Sequence, residues 1–62
     1  MKEFKGYLVQ YPSEADFKVL AVHYESEAQA RLKLVRYPSD ADIKVIFVQY
    51  PSDADMKVYV EY

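Results

Sequence analysis

The chain has 62 residues, 52% of them hydrophobic and 29% charged, with no cysteine and a formal net charge of −2. That length allows one domain with a small core, since a chain near this size buries only about 60% of the surface its unfolded form exposes. The missing cysteines exclude disulfides and thiolate metal sites, the single His23 cannot build a structural zinc centre, and interleaved charges leave no basic stripe for nucleic acid.

Residues 1–8 form a partial unit, in which Glu3, Phe4 and Lys5 stand where Asp16, Phe17 and Lys18 recur one period later. Four full units of 13 residues follow, at 9–21, 22–34, 35–47 and 48–60, reading VQYPSEADFKVLA, VHYESEAQARLKL, VRYPSDADIKVIF and VQYPSDADMKVYV. Residues 61–62 are a second partial unit. Val60-Glu61-Tyr62 repeats the V-x-Y signature 12 residues after Val48 instead of 13, which predicts one lost residue and a shortened last strand. A one-residue slip turns a strand's side chains over.

Each unit divides into a strand and a turn. Segments rich in β-branched and aromatic residues, at roughly 4–11, 18–24, 31–37 and 44–50, predict strands, with a fifth at the C-terminal end. Alternation places Ala41, Ile43, Val45 and Phe47 on a core face. With them stand Ala15, Phe17, Val19 and Ala21, then Ala28, Ala30, Leu32 and Leu34, then Ala54, Met56, Val58 and Val60. The opposite face begins charged at Asp42 and Lys44 and ends apolar at Ile46 and Val48, so its apolar end should be covered by turns or by a partner chain.

Tyrosine before proline is pushed to extended backbone, and Pro12, Pro38 and Pro51 then start the bend. The pairs Ser13 with Asp16, Ser26 with Gln29, Ser39 with Asp42 and Ser52 with Asp55 have capping-box spacing, predicting a single helical or 3-10 turn closed by serine and carboxylate. Unit two has Glu25 in place of proline and good helix formers through Leu34, so a longer helix is the alternative there.

The Asp-Ala-Asp triplets at Asp40/Asp42 and Asp53/Asp55, with Glu14/Asp16 in parallel, suit a divalent cation in part. The only glycine, Gly6, is not where a calcium loop needs one. The plainer reading is capping plus same-face pairs of Asp16, Asp42 and Asp55 with Lys18, Lys44 and Lys57. Tyr11, Tyr24, Tyr37 and Tyr50 recur with the period. They are read either as a ladder closing one end of the core or as a binding row for a small glycan or peptide. His23 holds the slot of Gln10, Arg36 and Gln49, and the serines all sit in turns. No nucleophile and base pair can therefore be assembled, and neither an enzyme nor a cofactor is expected.

Ser39-Asp40-Ala41-Asp42-Ile43-Lys44-Val45 and Ser52-Asp53-Ala54-Asp55-Met56-Lys57-Val58-Tyr59 resemble the tandem units of the small bacterial septoil-knot proteins. The resemblance covers nearly the whole chain. It implies a path that winds twice around a compact ring of strands as a torus knot, with neighbours two or three units apart. That family's name implies seven crossings, so four full units and two partial ones imply a five-crossing or lower form, or an unknotted form completed by a second chain. True knots are rare, and a five-stranded antiparallel meander, with consecutive strands as neighbours, explains the repeat as well.

The expected fold is therefore all-β and single-domain. No apolar run reaches the length of a membrane span or a signal-peptide core, so a soluble chain is expected, cytoplasmic if bacterial. Its expected role is a structural module that self-associates, as a homodimer or through unpaired strand edges. A ligand-binding module using the tyrosines or the acidic turns is the alternative, and repetition this regular also fits a designed chain.

Overall fold

A computed structural model describes residues 2–61. Five strands alternate with four short 3-10 turns: β1 Lys2–Leu8, β2 Phe17–Val22, β3 Ala30–Val35, β4 Ile43–Phe47 and β5 Met56–Glu61. The strands start near the predicted places but end two or three residues early. The V-x-Y segment belongs to the link because tyrosine is already the residue that enters the turn.

All five strands run parallel in one closed barrel, in the order β1-β3-β5-β2-β4. Every neighbour is two or three units away in sequence, which is the winding arrangement and overturns the meander. The links of seven or eight residues are too short for ordinary parallel crossovers. They suffice here because the chain never doubles back. Each link advances two places round the ring in the same sense, passing one strand and joining the next.

The register is uniform. Strands two units apart pair with an offset of 28 residues, as in Phe4↔Leu32, Phe17↔Val45 and Ala30↔Val58. Strands three units apart pair with an offset of 37, as in Gly6↔Ile43 and Val19↔Met56. Each interface is thus staggered by two residues, ten in all around five strands, so the strands are steeply inclined and the interior is narrow enough for side chains to fill it. The offset of 28 holds to Lys33↔Glu61. Among the described residues no residue is lost through Glu61, and β5 is six residues long rather than shortened. The early V-x-Y at Val60 is a coincidence of residue type.

The core is a central layer of Val19, Leu32, Val45 and Val58, all fully buried, each worth about 2 kcal/mol of apolar burial. Gly6, also buried, fills the fifth place of that layer. Ala30 is buried as well, and Phe4, Ile43 and Met56, with Leu34, Phe47 and Val60, pack partly buried against the central layer. The predicted core face is therefore the inner face, but its ends are open: Phe17 remains 40% exposed and Ala21 is exposed.

Unit two follows the others. Tyr24 enters its turn at φ −123° and ψ 136°, against −123° and 135° at Tyr37, and Ala30–Val35 is a strand, so the longer helix is overturned. Pairing along β3 on both sides outweighs the helical propensity of its residues.

Candidate functional site

The repeated chemistry gathers at the links. Each turn is built from its own backbone: Glu14 N donates to Tyr11 O at 3.0 Å and Ala15 N to Pro12 O at 3.2 Å, and the other three turns repeat the pattern. The tyrosine is the residue that precedes each turn. No side chain caps any of them, and Ser13, Ser26, Ser39 and Ser52 lie exposed inside the turns. The capping-box reading is thereby corrected. The backbone already satisfies the amide that serine would cap, and this frees the acidic residue for another partner.

That partner is the strand over which the link passes. The link between β1 and β2 crosses β4, with Val9 N donating to Val45 O at 3.0 Å and Asp16 N to Lys44 O at 2.8 Å. Lys44 N returns a bond to Asp16 Oδ2 at 2.9 Å. Asp16 thus grips both backbone groups of one residue on the strand beneath. Asp42 does the same to Lys5 of β1 (2.7 and 3.0 Å), and Asp55 to Lys18 of β2 (2.7 and 2.8 Å). Gln29 does it to Lys57 of β5 with its amide oxygen, at 2.9 and 3.0 Å. The expected same-face Asp–Lys ion pairs do not form among the described residues, because each carboxylate is spent on a backbone amide instead.

The outward residues beneath the four links, Tyr7, Leu20, Ile46 and Tyr59, are apolar or aromatic and half-buried. The links therefore cover the apolar part of the second face. Among the described residues only β3 is crossed by no link, and there the matching residue is the exposed Lys33.

Beside it stands the molecule's one cluster of ion pairs among the described residues. Arg31 Nη2 donates to Glu25 Oε2 at 2.7 Å and Nη1 lies 3.5 Å from Glu61 Oε1. The bond and then the charge of Glu25 raise the guanidinium's pKa above its ordinary value; desolvation opposes them, and the charges of Glu61 and Glu3 add smaller upward contributions. Its Nε is buried without a partner. The repeat alone did not mark this cluster. The signals were Arg31 in a lysine slot and Glu61 in a valine slot.

Tyr11, Tyr24, Tyr37 and Tyr50 are 61%, 66%, 63% and 63% exposed, one at each link. They do not close an end of the core, since the extended entry to each turn carries the ring away from the barrel. The depression next to Tyr11 is lined by Tyr7, Leu8, Val9, Gln10 and Glu14 from the same strand and link. His23 lines a separate depression with Ala21, Val22, Tyr59 and Val60. Among the described residues no group of three or more His, Cys, Asp or Glu side chains is placed to hold a metal ion, and no helix is long and apolar enough to cross a membrane.

The family model described as the 7(1) septoil knot domain matches residues 2–62. The chain belongs to the septoil knot domain family. No match is found among curated proteins or among solved structures. As a septoil knot domain it shows the ring winding that the resemblance implied, carried by five strands.

Proposed function

We propose that this septoil knot domain is a non-catalytic structural module that associates with copies of itself, its path being the five-crossing form of the family's winding. The observation that carries the reading is the exposure of Leu8 at 48% beside Tyr11 at 61%, in a molecule where Asp16, Asp42 and Asp55 are spent on its own backbone. Each strand has a neighbour on both sides, so association runs through side chains rather than through added strands. Sedimentation at low micromolar concentration tests it. A dimer or larger species that dissociates in Leu8→Ser supports the reading, and a monomer at every concentration refutes it.

The exposure of the four tyrosines favours one further reading, a binding module for a small glycan or peptide, since rigid amphipathic rings suit such surfaces. Titration with a glycan panel, with a divalent-cation arm for the acidic turns, is read by thermal shift. A rise in Tm on saturation supports binding, and no shift with any of them removes it.

A further inference from the structure

All five strands are parallel, so their C-terminal ends meet at one mouth of the barrel. The layer there is Leu8, Ala21, Leu34, Phe47 and Val60, each two residues beyond the central layer. Leu34, Phe47 and Val60 are half-buried, whereas Leu8 at the end of β1 is exposed.

Leu8 is flanked by opposite charges on its two sides. β1 lies between β3 and β4. On the β3 side, Arg36 follows Val35, the residue paired with Tyr7, and so stands beside Leu8. On the β4 side, the link out of β1 crosses β4 and carries Glu14, which lines the depression next to Leu8 and Tyr11. Both charged residues are exposed, and neither forms an ion pair among the described residues.

Arg36 holds the slot of Gln10, His23 and Gln49, and is the permanent cation of that slot. The chain's other arginine, Arg31, is already engaged with Glu25 and Glu61. The depression offers what a guanidinium takes: the ring of Tyr11, the carboxylate of Glu14 and the amide oxygen of Gln10. Arg36 of the same chain stands across Leu8 from it.

We infer, resting on the self-association proposed above, that this depression is the seat of Arg36 from a second copy, two copies exchanging their arginines about a two-fold axis at Leu8. Because Arg36 and Glu14 lie on opposite sides of Leu8, a two-fold rotation brings each Arg36 to the other copy's Glu14 and sets Leu8 against Leu8. The paired leucines keep water from the two charge contacts, and arginine and tyrosine serve as the anchors around them. Such a contact uses the same patch on both copies and closes at two.

The test is sedimentation equilibrium of the full chain and of charge-exchanged variants, with the fold of each checked by circular dichroism. Arg36→Gln installs the residue that units one and four already carry, and should weaken dimerisation at least tenfold. Arg36→Glu and Glu14→Arg should each be monomeric where the parent is a dimer. Their equimolar mixture should form a one-to-one dimer, because mixing restores opposite charges at both contacts. Leu8→Ser reports on association itself. If it dissociates the parent while Arg36→Gln and the charge variants leave the dimer intact, self-association stands and the exchange of Arg36 is overturned. Growth beyond two copies, or a mixture that stays monomeric while the parent dimerises, overturns the exchange as well. A parent that is monomeric at every concentration overturns both, and a rise of its Tm with an arginine-containing peptide would then assign the depression to a foreign chain.

Discussion

A Cβ placed on Gly6 would stand 2.6 Å from Leu32 Cδ1. The two residues share the central layer, where the other three places are held by Val19, Val45 and Val58. Leucine is larger than valine and glycine smaller, so the layer keeps its volume while breaking its symmetry. No glycine takes a left-handed backbone here, and Gly6 is required for space alone. Leu32 is fully buried, so its Cδ1 would have to shift within a packed interior to admit that carbon.

Gly6→Ala should therefore destabilise the fold by about 1–3 kcal/mol through overpacking, although alanine is otherwise the better strand residue. Leu32→Val should cost about 1 kcal/mol through the cavity it leaves. The double variant should be more stable than Gly6→Ala alone, with a coupling of about 1 kcal/mol or more in a denaturant double-mutant cycle. Additive losses would mean that the two side chains do not share one space.

Asp42 grips Lys5 through its carboxylate and its own amide, and Gln29 shows that a neutral acceptor serves the same purpose. Asp42→Asn should be close to neutral, while Asp42→Ala should cost about 1 kcal/mol, the net value of one hydrogen bond. Urea midpoints at constant m-value will separate them. Equal losses for both substitutions would assign the effect to charge instead.

Pro38 and Glu25 occupy the same place in their turns, and the flanking angles agree within a few degrees. Proline is thus not needed to shape the turn and acts by restricting the unfolded chain. Pro38→Ala should lower stability by about 0.4–1 kcal/mol while leaving the circular dichroism spectrum unchanged. A change of spectrum would show that the ring itself had been disturbed.

Arg31, Glu25 and Glu61 meet in water, with side chains 36–46% exposed. Their contribution should be small and should fade with salt. Arg31→Met should lower Tm at low ionic strength and much less at high. Because the guanidinium's pKa is raised, first by its bond to Glu25, its own share of stability is fully present below the ordinary arginine value and is lost only at strongly alkaline pH. Across the neutral range the Tm difference between Arg31→Met and the parent should stay flat.

The period of 13 made the units, the strands and the inner face legible, because each unit repeats the same alternation. Ring order was not in the alternation: a meander and a winding bury the same residues, and only the resemblance separated them. The turns misled because Ser-x-x-Asp is the spacing both of a cap and of a link whose aspartate reaches a strand 28 or 37 residues away. Gly6, Lys33 and Glu61 were visible only as departures from the repeat. Their meaning depends on the contact of Gly6 with Leu32 and on the absence, among the described residues, of a link over β3.

The ring order is tested most directly by a three-dimensional 15N-edited NOESY spectrum of the backbone amides. Parallel-strand contacts are expected between Phe4 and Leu32 of β1 and β3, and between Val19 and Phe47 of β2 and β4, with none between consecutive strands. Antiparallel contacts between β1 and β2, or between β2 and β3, would contradict the winding.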